Sequence, residues 1–100
     1  MKLIEHNLQR IFDLCRKYKV KSLAVFGSIL TDRFNDQSDV DLLVDFEPTD
    51  HDKFDYVTNF LDFQDALEIL FKRKVDLVVG SSLRNKYFIN NVNRNKQVIY

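Results

Sequence analysis

Cysteine occurs once in this chain, at Cys15, so no internal disulfide and no thiolate metal cluster can form. Cys15 shares a helical register with Ile4, Leu8, Ile11 and Tyr18, where a thiol acts as a small core hydrophobe, not a reactive group. Net charge is missing too. Fifteen basic residues balance fifteen acidic ones, which leaves no electrostatic basis for wrapping nucleic acid nonspecifically. No apolar run approaches the roughly 18 to 20 residues needed to cross a bilayer, and Met1-Lys2-Leu3-Ile4-Glu5 lacks the form of a signal peptide. A cytoplasmic protein is expected. Internal repeats and low-complexity tracts are absent as well.

What is present is a chain with 45% hydrophobic residues, too apolar for disorder. Its 100 residues suffice for one domain that buries roughly two thirds of its unfolded surface, and are too few for a second. Lys2 to Tyr18 carries Ile4, Leu8, Ile11, Phe12 and Cys15 at helical spacing, which predicts a packing helix. Lys19 to Ser22 then crosses into a strand over Leu23 to Phe26, and Ile29 to Phe34 is expected to form a short helix. A second strand is expected from about Asp39 to Phe46, closed by Glu47-Pro48 because proline cannot donate to a ladder. From Leu42 onward it is almost continuously apolar, as a strand covered on both faces should be.

Phe54 to Phe71 repeats at helical spacing through Tyr56, Val57, Phe60, Phe63, Leu67 and Leu70, which predicts a long helix backing the sheet. Arg73-Lys74 suits the negative end of its dipole. Val75 to Val79 follows as a third strand, stopped by Gly80. A last helix is expected from about Ser82 to Val92, with Leu83, Tyr87, Phe88 and Val92 inward and its end frayed by Asn90, Asn91, Asn93 and Asn95. Gln97 to Tyr100 completes the order as a short strand. The fold class is therefore α/β (α+β): helices packed on one small mixed sheet of three to four strands.

The chemistry concentrates between Val25 and Phe46. Strand side chains alternate, so Asp39 and Asp41 share one side and Val40, Leu42 and Val44 the other. Two carboxylates that close on an apolar strand repel one another unless a cation lies between them. Hard oxygen ligands in a small cluster suit Mg²⁺, which is commonly held by one or two carboxylates, water and substrate phosphate. Gly27-Ser28, at the end of the preceding strand, lets backbone approach an anion closely and adds a hydroxyl donor. A phosphate cradle beside a metal site is the equipment of phosphoryl or nucleotidyl transfer. His6 is expected to be a solvated helix position. His51, between Asp50 and Asp52 in a loop after the proline, is expected to be solvated rather than a metal ligand.

Gly27-Ser28, ten residues, then Asp39-x-Asp41 matches the GS-x10-D-x-D signature of the minimal nucleotidyltransferases, small members of the DNA polymerase β superfamily. The segment Lys72-Arg73-Lys74-Val75-Asp76-Leu77-Val78 resembles that family's third-strand motif, and the resemblance spans essentially the whole chain, residues 1–100, as a single domain with a palm-like core. It implies that Asp39, Asp41 and Asp76 hold two Mg²⁺ ions, with Asp76 nearest the nucleophile and placed to help take its proton. Gly27 and Ser28 would hold the β and γ phosphates. Family members often carry arginine and glycine three and four residues after the serine; here those positions are Thr31 and Asp32, with an arginine only at Arg33. An acid facing the phosphates should weaken nucleotide binding unless its side chain turns away.

The family is commonly paired with a small helical HEPN toxin, and its members silence that toxin by moving AMP from ATP onto it. The resemblance thus implies an adenylyltransferase antitoxin with ATP as substrate and a HEPN-type protein as partner. The altered Thr31-Asp32 segment favours a different class, a catalytically weak or inactive module that neutralises its partner by covering it. Transfer to a small molecule or to RNA is disfavoured by the lack of an acceptor domain and by the neutral charge.

Overall fold

The computed structural model describes residues 2–48 and 53–100. In chain order its elements are α1 (Lys2–His6), α2 (Leu8–Lys17), β1 (Val20–Phe26), β2 (Val40–Phe46), α3 (Lys53–Phe71), β3 (Val75–Val79), α4 (Lys86–Asn95) and β4 (Gln97–Val98). Short 3₁₀ turns at Gly27–Leu30 and Gly80–Ser82 follow β1 and β3. Among the described residues the sheet has four strands in the order β3-β2-β1-β4. β1 is antiparallel to β2 and β4, while β2 and β3 run parallel through the crossover helix α3, so the sheet is mixed as expected.

Alternation along the strands divides the molecule into two layers around the sheet. Leu23, Val25, Val40, Leu42, Val44, Val75 and Leu77 face the helices α1 to α3 and form one core with Ile11, Cys15, Phe63, Leu67 and Phe71. Phe63, Ile11 and Leu67 are completely buried there. Ala24 and Leu43 face the opposite way and are covered by Val92 of α4, with Phe26, Val78 and Leu83 alongside. Asp41 and Asp76 occupy alternate positions with Leu43 and Val78, so they stand on this second face, the side of α4.

Several elements differ from the sequence pattern for local reasons. The first helix is broken at Asn7, whose side-chain amide donates to the Leu3 carbonyl at 2.8 Å and competes with the backbone ladder. Leu8, just past this break, is more than one-third exposed rather than core. β1 starts at Val20, earlier than expected, and Asp39 sits immediately before β2 rather than inside it. The expected helix over 29–34 is instead the 3₁₀ turn at Gly27–Leu30: Thr31 Oγ1 and the Thr31 amide both donate to the Ser28 carbonyl, at 2.8 and 2.9 Å, and end it. The last helix starts at Lys86 because Asn85 caps it, accepting from the Phe88 amide at 3.0 Å. It continues to Asn95 instead of fraying, since Val92 anchors its last turn in the core at 3% exposure. Tyr87 is 89% exposed rather than inward, while Phe88 meets the Phe26 ring edge-on. The loop containing His51 lies outside the described residues.

Candidate active site

β2 and β3 are in parallel register with Asp41 opposite Asp76, and β1 pairs with β2 so that Phe26 lies opposite Asp41. Neighbouring strands lie about 4.8 Å apart, so the three positions form one row across the sheet, and the chain turns at Gly27 directly beside Asp41. Gly27 has φ +77°, a left-handed conformation that L side chains rarely adopt. A Cβ added there would collide with Asp41 Oδ2 and lie 3.2 Å from its Cγ. Glycine is therefore required twice over, by its dihedral and by the carboxylate against it. Ile29 is buried in the main core and pins the 3₁₀ turn, which fixes Ser28 next to Gly27.

Asp41 is half-buried, and its carboxyl is raised above the ordinary carboxylate range by burial first, then by the negative charges of Asp76 and Asp39. The three carboxylates thus share one neighbourhood, as their sequence positions imply. Asp39 is more exposed, and Lys74 Nζ stands 3.9 Å from its Oδ2, a loose surface pairing of little energetic consequence. Among the described residues no group of three or more His, Cys, Asp or Glu side chains is placed to hold a metal ion by itself. Mg²⁺ needs only one or two protein carboxylates, with water and substrate phosphate completing its shell, and the negative charge crowded around Asp41 is of the kind that a divalent cation would neutralise.

Beside the carboxylates lies an open cleft of about 600 Å³, with Gly27, Ser28, Thr31 and Arg33 on one wall and Asn91 and Asn95 of α4 on the other. Arg33 lines it, whereas Asp32 does not. The arginine two residues after the family's arginine position thus borders the cleft, while Asp32, the acid at the family's glycine position, is exposed. Thr31 folds back on the turn, accepting from the Arg33 amide at 3.2 Å while donating to Ser28, which carries Arg33 round to the cleft.

Three positioning residues, Gln64, Glu68 and Arg73, had no such role assigned from the sequence. Gln64 Nε2 donates to the Val75 carbonyl at 3.0 Å and Glu68 Oε2 accepts from the Val75 amide at 2.9 Å, so two side chains one turn apart on α3 fix the residue before Asp76. Arg73 Nη1 donates to the carbonyls of Asn35 and Ser38 at 3.0 and 2.9 Å, and its guanidinium stacks on Phe34 with 4.7 Å to the ring centre. It holds the turn that delivers Asp39. Asn35 orders that turn from within, its Oδ1 accepting from the Gln37 amide at 2.8 Å and its amide donating to Ser38 Oγ at 3.1 Å. Gln64 and Glu68 are two of several polar residues on α3, so their spacing gave no distinct signal, and Arg73 was marked only by its place at a helix end and in the segment before Asp76.

A helix-backed mixed sheet with an acidic row beside a glycine-serine turn defines a nucleotidyl-transfer scaffold, and the comparisons with known proteins agree. The sequence profile of the nucleotidyltransferase domain matches residues 10–99, and the chain belongs to that family. It is 42% identical over 74 residues to a protein of Methanocaldococcus jannaschii named "putative protein adenylyltransferase", covering 74% of this chain and 70% of that one. A solved structure described as a "putative minimal nucleotidyltransferase" superposes with a TM-score of 0.76 at 25% identity, covering 96% of this chain and 92% of its own. The same fold, at a TM-score of 0.59 and 21% identity, occurs in a complex of a tri-AMPylated HEPN toxin of Shewanella oneidensis with its MNT antitoxin, covering 96% of this chain and 71% of that one.

Proposed function

We propose that this protein is an antitoxin-type adenylyltransferase that moves AMP from ATP onto a HEPN-type partner protein. The observation that carries this is the placement of Asp41, within reach of the charges of Asp39 and Asp76, against a glycine turn that opens on a nucleotide-sized cleft. The M. jannaschii protein's name and the AMPylated toxin of the S. oneidensis complex supply the nucleotide and the class of acceptor.

Asp39, Asp41 and Asp76 would hold Mg²⁺, which when bound neutralises triphosphate charge and polarises the reacting phosphate. Gly27 and Ser28 approach the β and γ phosphates through backbone and hydroxyl, with Arg33 adding a fixed positive charge. A hydroxyl of the acceptor attacks the α-phosphorus; its new P–O bond forms as the bond to the β-phosphate oxygen breaks, and pyrophosphate departs in line. The hydroxyl proton passes to Asp76, which is exposed and so returns it to solvent.

With α-labelled ATP, Mg²⁺ and a HEPN-type partner, the wild type is expected to label the partner, and Asp39→Asn/Asp41→Asn to lose this by 100-fold or more, roughly the scale of a lost electrostatic contact in a transition state. Label transfer that persists in the double variant would refute the carboxylate assignment. The alternative, a catalytically weak or inactive module that covers its partner, rests on the Thr31-Asp32 departure from the family pattern. Silencing of the partner by the double variant without ATP would establish it.

A further inference from the structure

The α4 wall of the cleft has no role in the chemistry described so far. Asn91 and Asn95 are one helical turn apart, so their carboxamides emerge on one face, and both line the cleft opposite Gly27, Ser28 and Arg33. Asn95 Nδ2 donates one hydrogen to the Asn91 carbonyl at 2.9 Å, which orients the group and leaves its second N–H free. The Asn91 carboxamide has no protein partner among the described residues. None of Asp39, Asp41 and Asp76 lines this cleft.

This division orders a bound nucleotide. With the α-phosphate at the carboxylates and the β and γ phosphates along Gly27-Ser28, the terminal phosphate faces the cleft that this turn shares with Asn91 and Asn95. That space offers one guanidinium and the N–H groups of two neutral amides, a set of donors suited to an anion with several oxygens. We infer that Asn91 and Asn95, with Arg33, bind the terminal phosphate and grip the pyrophosphate as it leaves; this rests on the nucleotidyl-transfer reading above. Neutral donors hold the anion through hydrogen bonds and add no further cation that would retain the product after reaction.

Titration calorimetry of the full chain with ATP, ADP and AMP, each with Mg²⁺ and without an acceptor, tests this. Wild type is expected to bind ATP more tightly than ADP and ADP more tightly than AMP. Asn91→Ala/Asn95→Ala should weaken ATP by about 10-fold and leave AMP unchanged, the scale of one or two hydrogen bonds to a charged group. Asn91→Asp, nearly isosteric, should depress ATP binding further by repulsion and again spare AMP. Circular dichroism melts confirm that each variant folds. Variants that keep the wild-type ATP-to-AMP ratio, or lose AMP and ATP equally, overturn the inference while the function above stands. A wild type that binds no ATP overturns both.

Discussion

Asp41 is central to the proposed site, and its environment works against its charge. A carboxyl raised in the folded state binds its proton more tightly there than in the unfolded chain. Ionised Asp41 therefore destabilises the fold at pH above its folded value, and this penalty disappears as pH falls below the ordinary carboxylate range, where both states are protonated. Asp41→Asn should accordingly melt a few degrees above wild type at neutral pH, with the gap closing as pH falls towards about 4. Added Mg²⁺ should raise the wild-type melting temperature and leave the variant's unchanged. Melting curves across pH with and without Mg²⁺ check this; identical curves for both proteins would show that Asp41 is not under electrostatic strain. Cys15 shows the opposite case. Burial pushes its thiol up to about 12, against a smaller lowering by Arg16, so it stays protonated and packs as the hydrophobe that its register implies.

At the scale of elements, the strands were legible because their patterns are nearly unambiguous. The continuous apolar run of β2 and the short Val75–Val79 segment ended by Gly80 fall where the sequence places them. Helix limits were less legible because single side chains decide them: Asn7 divides the first helix and Asn85 starts the last. The juxtaposition of Gly27, Asp41 and Asp76 was legible, because strand register fixes it. Asn91 and Asn95 were not, because their value arises only when α4 folds across the sheet, and as isolated asparagines they signal a weak helix. Element ends also carry a removable strain. Lys72, directly after α3, has φ 57°, a conformation glycine adopts freely. Lys72→Gly is expected to stabilise the protein by about 0.5–1 kcal/mol, the αL penalty less the added freedom of the unfolded chain. Urea unfolding reads this directly, and an unchanged or lower midpoint would contradict it.

For the whole molecule, the two faces of one sheet divide the labour. The face packed on α1 to α3 contains most of the buried apolar side chains and supplies the stability. The other has a smaller apolar cluster under α4 and gives the rest of its area to the acidic row. The clamps of Gln64, Glu68 and Arg73 connect the two faces, so the packed layer sets where Asp39 and Asp76 stand. In the proposed function this domain positions the nucleotide and a second protein supplies the acceptor. Intact-mass spectrometry of a HEPN-type partner co-expressed with this chain tests that account most directly. The account predicts that the partner gains the mass of one or more AMP groups with the wild type and none with Asp41→Asn. An unmodified partner beside the wild type, or one modified equally beside both, would contradict it.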